Sequence, residues 1–241
     1  MTGMKEAELL SIVIPTLGAA GTLAATLAAL DDVGASAQAL RGAETIVVDG
    51  GSTDASPALA QKLGARVIAA PRGRGLQLNA GAKAAKGDWL LFLHADTRLA
   101  PGWAAAVGAF IADPANAERA GYFRFALDDP APAARRVERL VSWRCRRLGL
   151  PYGDQGLLIA RDFYQALGGY RPLAMMEDVA LVRRIGRRRL VALEAAAVTS
   201  ARRYRRDGYV MRPARNLLCL GLYFLGLPPR LIARIYARAS P

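Results

Sequence analysis

The sequence has only two cysteines and no long apolar run. Cys145 and Cys219 lie far apart and lack the close spacing of zinc-binding pairs. A disulfide framework is therefore not expected, and we predict a cytoplasmic location, where thiols stay reduced. The first residues show no basic region followed by an apolar core and a small-residue cleavage site, so we expect no secretory signal.

Aromatic residues are also scarce, at 7% of the 241 residues, and they are scattered. RNA-binding modules stack bases on closely placed aromatic side chains, so we expect no nucleic-acid partner. An apolar run at residues 217–227 is far below the roughly 20 residues that a membrane-spanning helix needs. We expect this run to pack in the core or against a second subunit in a homo-oligomer, with peripheral contact at a membrane surface as the less favoured alternative.

Excess positive charge is confined to the second part of the chain. Residues 1–100 contain nine basic and nine acidic residues, whereas residues 101–241 contain 24 arginines and 11 acids, which accounts for the net charge of +13. This imbalance indicates an anionic partner, such as a phosphate, an acidic acceptor or an anionic lipid. A solvated basic surface without a partner is the alternative explanation.

The first hundred residues alternate between the patterns of buried strands and helices. In chain order, the predicted segments are strands at 9–14, 45–48, 66–69 and 89–93 and helices at 22–30, 57–63 and 76–86. Such alternation predicts right-handed βαβ units and an α/β fold with a Rossmann-like, mostly parallel sheet flanked by helices. A hydrophobic fraction of 53% in a chain of this length fits a single globular domain.

The second part of the chain is less regular. Its predicted helices are at 101–112, 133–148, 179–185 and 207–225, with a short helix from 162, and its predicted strands are at 120–127, 156–160, 190–193 and 196–198. We divide the predicted single domain, residues 1–241, into a nucleotide-binding half at 1–100, an acceptor and catalytic half at 101–200, and a basic, apolar helical segment at 201–241.

Polar or turn-forming residues follow three strands of the first part, namely Pro15-Thr16, Asp49 and His94-Ala95-Asp96. Because ligands of parallel sheets bind at the carboxyl ends of the strands, we expect a binding site there. Asp49 can accept a hydrogen bond from a pyrimidine ring or a ribose hydroxyl, or can only fix a turn. Asp96 can hold Mg²⁺ or Mn²⁺ together with substrate phosphates, or can form a polar turn.

Three further clusters suit a nucleotide enzyme. Arginines and glycines at residues 72–75 precede a helix, where a phosphate or a base edge can bind. The pair Glu177-Asp178 can supply a general base, although carboxylates are favoured at a helix start in any case. Asp154-Gln155 adds a polar pair. We predict that Arg202 or Arg203 reaches a diphosphate or an anionic acceptor.

Taken in this order, the segments resemble the family 2 glycosyltransferases of the GT-A fold. The stretches that carry the resemblance are SIVIPTLGAAGTLAATLAAL, ETIVVDGGSTDAS, RGRGLQLNAGAKAAKGDWLLFLHADTRLAPGW, YGDQGLLIARDFYQALGGY and MEDVALVRRI, between about Ser11 and Ile185. Within the family, the chain is similar to the radical-SAM/selenodomain-associated transferase 2 subgroup, on the segments FLHADT, GDQG, MEDV and TSARR.

The resemblance implies transfer of a sugar from a nucleotide-sugar donor, such as a UDP- or GDP-sugar, to a hydroxyl acceptor, with inversion and with Mn²⁺ or Mg²⁺ as cofactor. It implies Asp96 as the metal ligand and Asp178 as the catalytic base. The implied nucleotide-binding residues are Pro15, Thr16, Asp49, Arg72, Gly75, Asn79 and His94. We add as acceptor- or phosphate-binding residues Asp154, Gln155, Glu177, Arg202 and Arg203.

The chain departs from the family at one position. The first carboxylate of the family's Asp-x-Asp metal motif is His94 here, which puts metal affinity and donor preference in question. The alternatives to a glycosyltransferase are a nucleotidyltransferase-like enzyme and a non-catalytic nucleotide- or anion-binding protein. A nucleotidyltransferase is expected to carry a basic, glycine-rich loop after the first strand, whereas IPTLGAAGTL contains no basic residue.

Overall fold

The apolar runs of the first part of the chain form four adjacent strands on one side of a single sheet. The computed structural model describes residues 9–31 and 42–238. In it, β1 (Leu10–Thr16), β2 (Glu44–Asp49), β3 (Arg66–Ala69) and β4 (Trp89–Phe92) run parallel in the order β3-β2-β1-β4. All four residues of β4 are buried, as expected of a strand covered on both faces.

Three helices connect these strands, namely α1 (Ala20–Asp31), α2 (Ser56–Lys62) and α3 (Arg74–Ala84). Helix α3 lies unusually close to the sheet at Gly81. A Cβ atom placed there would lie 2.2 Å from Cγ1 of Val13 and 2.9 Å from Cγ2 of Val48. Only glycine permits this approach, which brings the N-terminus of α3 towards the end of β1.

The second part of the chain extends the same sheet. Strands β5 (Thr97–Leu99), β6 (Ala120–Leu127), β7 (Leu157–Ala160) and β8 (Leu190–Thr199) complete the order β3-β2-β1-β4-β7-β6-β8-β5. β7 is antiparallel to β4 and to β6, whereas β8 is parallel to β6 and antiparallel to β5. The predicted α/β class with a mostly parallel sheet is confirmed.

The remaining helices cover the sheet on both faces. They are α4 (Trp103–Ala112), α5 (Pro132–Leu148), α6 (Arg161–Ala166), α7 (Glu177–Ile185), α8 (Arg202–Asp207), α9 (Met211–Phe224) and α10 (Pro229–Arg238). Helices α1 and α4 share one apolar core with the sheet, and α3, α6 and α7 share a second core on the opposite face. Helices α5 and α8 pack on β6, and α9 and α10 pack on α7.

Two predicted segments differ from the structure. The helix predicted at 207–225 is interrupted, because Gly208 takes a positive φ of 88° after α8 and the next helix begins at Met211. The two strands predicted at 190–193 and 196–198 are the single strand β8, which contains an irregularity opposite Phe123 and Arg124. β5 has no predicted counterpart, whereas α8 and α10 fall in the segment 201–241, which is predicted to be helical without individual bounds for these two helices.

The apolar run in α9 lies half in the core. Cys219 and Leu220 are buried with Ile232 of α10 against α7, whereas Leu217 and Leu218 are exposed. The expectation of core packing therefore holds for one side of the helix. No helix in the described residues is long and apolar enough to cross a membrane. Both cysteines are free and buried.

Candidate functional site

Two open cavities lie side by side at the carboxyl ends of β1 and β4. The first cavity, of about 560 Å³, is lined from the end of β1, the start of α3 and the loops after β4 and β8. The second cavity, of about 210 Å³, is lined from the start of α7, the turn at Gly153–Gln155 and the helices α8, α9 and α10. The residues common to both linings are Arg74, His94, Asp96, Ser200 and Arg203.

The first cavity is strongly basic. Four arginines line it, at positions 72, 74, 202 and 203, whereas Asp96 is the only carboxylate residue among its lining residues. Pro15 and Thr16 form the part of the wall at the end of β1. A guanidinium group can donate two parallel hydrogen bonds to one phosphate. The arginines therefore suit a diphosphate, and Pro15 and Thr16 suit a less polar part of the same ligand.

Asp49 shapes the turn that follows β2 and does not line either cavity. Its carboxylate accepts hydrogen bonds from the backbone N–H groups of Gly51 and Ser52, each at 2.9 Å, and from the Ser52 hydroxyl. Burial alone would raise the pKa of Asp49, but these hydrogen bonds outweigh it and hold the pKa below its usual value. The hydroxyl of Thr16 lies 3.5 Å from the same carboxylate, which ties the turn to the cavity wall.

Two predicted nucleotide-binding residues serve packing in the structure. The side chain of Asn79 donates to the carbonyl of Tyr170 and accepts from the hydroxyl of Tyr164. A Cβ atom on Gly75 would lie 2.3 Å from the carbonyl oxygen of Arg171, so this glycine allows close contact between α3 and the loop before α7. Neither residue lines a cavity, whereas the neighbouring Arg72 does.

Gln77 is a cavity residue that the sequence did not indicate. Its side-chain amide donates to the carbonyl groups of Thr16 and Val48, both at 2.8 Å, and joins the ends of β1 and β2. Gly50 makes room for it, since a Cβ atom there would lie 2.9 Å from Nε2 of Gln77. Gly50 therefore serves this packing contact.

His94 and Asp96 form the wall between the cavities. Nδ1 of His94 lies 4.0 Å from Oδ1 of Asp96, and Nη2 of Arg203 lies 4.0 Å from Oδ2 of the same carboxylate. Burial, reinforced by Arg74 and Arg203, lowers the pKa of His94 well below its usual value, so the ring is neutral at pH 7. Its Nε2 atom is buried and has no hydrogen-bond partner within the part of the chain that the structure describes.

The start of α7 brings two carboxylates to the same wall. Met176 precedes the helix in the left-handed region, with φ of 65°, and is the one non-glycine residue with positive φ in residues 9–31 and 42–238. Backbone strain of this kind costs about 1–3 kcal/mol and tends to occur at functional sites. Glu177 then faces α3, where its Oε1 pairs with Nη1 of Arg74 at 3.2 Å, and Asp178 faces the second cavity.

Asp178 is held in place by backbone donors. The N–H of Gly153 donates to Oδ2 at 2.9 Å, and the N–H of Val179 donates to Oδ1 at 2.7 Å. A Cβ atom on Gly153 would lie 2.6 Å from Nε2 of His94 and 3.6 Å from Oδ2 of Asp178. Gly153 therefore lets the carboxylate and the imidazole approach each other across the wall. Burial raises the pKa of Glu177, and the negative charge of the neighbouring Asp178 adds to the rise.

The two residues of the predicted polar pair 154–155 have different surroundings. Asp154 lines the second cavity, and its Oδ1 atom is buried without a hydrogen-bond partner among the described residues. Burial raises its pKa to about 6, with Arg144 opposing and Asp178 adding to the rise. Gln155 is buried outside the cavity, where its amide donates to the carbonyl of Phe123 and its oxygen accepts from Arg144.

The rest of the second cavity comes from residues that sequence reasoning did not assign to a site. They are largely aromatic or apolar, with a few polar groups from α9: Tyr152, Met175, Met176, Val179, Tyr204, Arg212, Asn216, Cys219 and Tyr236. Nothing in the linear sequence places α9 and α10 over the start of α7. Burial raises the pKa of Tyr204 to about 12, so its hydroxyl stays protonated.

The donor atoms on the shared wall fit a divalent cation only in partnership with a ligand. In the described residues, no three His, Cys, Asp or Glu side chains are grouped closely enough to hold a metal ion by themselves. Mg²⁺ is commonly bound by one or two carboxylates together with substrate phosphates, and the partly exposed carboxylate of Asp96 beside the arginine-lined cavity offers one. The wall therefore fits an ion that shares its ligands with a bound diphosphate.

Solved structures of glycosyltransferases share this fold. Glucosyl-3-phosphoglycerate synthase from Mycobacterium tuberculosis, in complex with Mn²⁺, UDP and glucosyl-3-phosphoglycerate, is 18% identical with a TM-score of 0.56, over 80% of this chain and 70% of that one. S. aureus TarS, residues 1–349, is 15% identical with a TM-score of 0.62, over 95% of this chain and 71% of that one. The same TarS fragment in complex with UDP-GlcNAc is 14% identical with a TM-score of 0.59, over 95% and 72%.

At these identities the likeness establishes the fold, and the predicted GT-A architecture is confirmed. No curated protein matches the sequence significantly. The model of the family described as "Glycosyl transferase family 2" matches residues 11–142, which is more than half of the chain and includes the first cavity's wall from Pro15 to Asp96. The chain belongs to glycosyl transferase family 2.

Proposed function

We propose that this protein transfers a sugar from a nucleotide-diphosphate sugar in the first cavity to the hydroxyl group of an acceptor in the second cavity. The observation that carries the proposal is the wall that the two cavities share. On one side of it lie the arginines that suit a diphosphate, and on the other side lies the carboxylate of Asp178. A sugar bridging this wall would have its departing group and its attacking group on opposite sides.

The donor's diphosphate would lie against Arg72, Arg74, Arg202 and Arg203. Pro15 and Thr16 would contact the nucleoside at the end of β1, and Asp49 would act by fixing the turn beside them. The complexes of two structural neighbours with UDP and with UDP-GlcNAc support a uridine nucleotide as the first donor to test.

Asp96 would hold Mn²⁺ or Mg²⁺ together with the donor phosphates, and the Mn²⁺ in the M. tuberculosis enzyme complex supports this assignment. Such an ion, when bound, neutralises negative charge that develops on a departing diphosphate. The neutral ring of His94 would line the donor side of the wall beside Asp96. Arg203 would pair with the diphosphate as well as with Asp96.

Asp178 would act as the general base. The acceptor oxygen forms a bond to the anomeric carbon as the bond from that carbon to the diphosphate breaks, and the hydroxyl proton passes to the Asp178 carboxylate. The two backbone N–H donors fix the carboxylate without supplying a competing charge. Attack from the side opposite to the leaving group gives inversion. Correctly placed base catalysis of this kind contributes roughly 10²–10⁴-fold to the rate.

The proposal is tested by binding and turnover with matched variants. We expect UDP or another nucleoside diphosphate to raise the unfolding temperature, and to do so more strongly with Mn²⁺, because ligands that bind the native state stabilise it. Asp178→Asn is expected to keep that thermal shift and to lose sugar transfer by at least about 100-fold. Glu118→Gln, an exposed carboxylate outside both cavities, is the control and should match the wild type.

Two outcomes would contradict the proposal. If no nucleoside diphosphate or nucleotide sugar shifts the unfolding temperature, the first cavity is not a donor site. If Asp178→Asn retains full turnover, the base lies elsewhere.

His94→Asp tests the shared wall separately, because it restores the carboxylate of the family motif. We expect it to change metal-dependent donor affinity and sugar preference, and unchanged values would exclude a donor-binding role for the imidazole.

A further inference from the structure

Helix α9 directs its positive charges into the protein. Arg212 and Arg215 are 12% and 11% exposed at their side chains, and both pair with Oδ2 of Asp207, at 3.0 and 2.7 Å. Arg212 also lies near the ring of Tyr204 and lines the second cavity. A helix on the surface of a soluble protein normally shows the reverse arrangement, with charged residues outward and apolar residues inward.

The outward side of α9 carries no polar residue. Its exposed residues are Met211, Ala214, Leu217, Leu218, Gly221 and Phe224, and Leu225 follows directly after the helix. These positions are three or four residues apart and therefore share one face. Leu218 is 56% exposed and Leu225 is 80% exposed. We call this set the α9 face; a continuous exposed apolar surface of this kind marks a site of interaction.

Arginines lie next to the α9 face, on α7 and on α10. The guanidinium of Arg183 lies 4.9 Å from the centre of the Phe224 ring. Exposed arginines also lie on the neighbouring helix α10, at Arg230 and Arg234. On α10 these arginines alternate with the exposed side chains of Leu231 and Ile235. Between residues 201 and 238 the sequence has nine arginines and one acid, Asp207, a net charge of +8.

We propose that the α9 face binds the surface of an anionic lipid bilayer, with α9 lying in the plane of the interface. Apolar side chains would enter the region below the headgroups, and the neighbouring arginines would contact the lipid phosphates. A second copy of this chain fits less well. It would bring Arg183, Arg230 and Arg234 against their own copies, and Asp207, the one acid between residues 201 and 238, is already paired with three arginines. A lipid surface would bury the apolar side chains and would also offer phosphates to the neighbouring arginines.

The test uses the full chain and vesicles, and it does not depend on sugar transfer. We expect co-sedimentation with phosphatidylcholine vesicles that contain phosphatidylglycerol, little binding to phosphatidylcholine alone, and weaker binding at high salt. The triple variant Leu217→Ser, Leu218→Ser, Leu225→Ser should bind the anionic vesicles at least about tenfold more weakly. Because these side chains are exposed, its unfolding temperature and helix content should remain close to those of the wild type.

Two further variants separate the contributions. Arg230→Gln with Arg234→Gln should weaken binding and reduce its salt dependence, because fewer charges contact the lipid. Leu63→Ser replaces a comparably exposed leucine after α2, outside the α9 face, and should bind like the wild type. Absence of binding to anionic vesicles, or equal binding by the triple variant, would overturn the proposal. A dimer seen by light scattering that the triple variant abolishes, without vesicle binding, would assign the face to a second copy.

Discussion

Asp154 provides a test of the second cavity that needs no substrate. The carboxyl group is buried, Oδ1 has no hydrogen-bond partner within the described ranges, and Asp178 lies nearby. Burial raises its pKa from an ordinary value of 3.8 to about 6. The folded protein therefore binds the Asp154 proton more tightly than the unfolded chain does. The substitution Asp154→Asn replaces this carboxyl with an uncharged side chain of the same shape.

The direction of the effect follows from the raised pKa. A group whose pKa is higher in the folded state favours folding fully at low pH, and this contribution is lost as the pH rises through about 6. The full loss corresponds to about 3 kcal/mol, because one pH unit is worth about 1.4 kcal/mol. Between about pH 5 and about pH 8, the wild type loses about 1 kcal/mol of this contribution to its free energy of unfolding. Asp154→Asn should therefore gain about that much stability relative to the wild type over this range.

The assay is urea unfolding of both proteins at several pH values, followed by circular dichroism. Asp129→Asn is the matched control. Hydrogen bonds from Tyr209 and the Ala131 backbone lower the pKa of Asp129, so its carboxyl is ionised in both states throughout this range. The stability difference caused by Asp129→Asn should not change with pH there. If the stability difference between Asp154→Asn and the wild type is also independent of pH, the reasoning about the buried carboxyl is refuted.

The other predictions concern packing and the C-terminal helices. Gly81→Ala should lower the free energy of unfolding by about 1–3 kcal/mol despite the better helix propensity of alanine, because its Cβ would overlap Val13. Gly21→Ala, in α1 with no atom within 4 Å of the new Cβ, is the matched control and should raise that free energy by about 0.5 kcal/mol; a loss of stability there would contradict the reasoning. Asp207→Asn should speed amide exchange in α9, since its paired arginines lose a carboxylate; unchanged exchange would be inconsistent with this role.

The strands of the first half could be predicted from sequence because each is a continuous apolar run that ends at a turn-forming residue. The same logic predicted that Thr16, His94 and Asp96 lie at one edge of the sheet, where they line the cavities. The starts and ends of helices α1 to α5 were predicted to within about two residues, whereas α8 and α10 were given no bounds. The family resemblance is confirmed, whereas the similarity to the radical-SAM/selenodomain-associated subgroup stays a prediction.

Features that depend on tertiary contacts could not be predicted. The strand β5 has three residues, too few for a periodic pattern, and β8 was divided in the sequence near its irregularity opposite Phe123. The family resemblance implied that Asn79 binds the nucleotide. Its hydrogen-bond partners in the structure, Tyr164 and Tyr170, are 85 and 91 residues away in the sequence. The wall that α9 and α10 contribute to the second cavity could likewise not be predicted, because a sequence pattern can indicate a helix but not the surface on which it packs.

The wall shared by the two cavities has a kinetic consequence under the proposed function. Arg74, Asp96 and Arg203 border both cavities, so a donor diphosphate that draws on their charge also changes the surface that an acceptor meets. The two substrates would then bind in a fixed sequence, donor before acceptor, and the nucleoside diphosphate would leave last. In steady-state measurements, that product would compete with the donor but not with the acceptor.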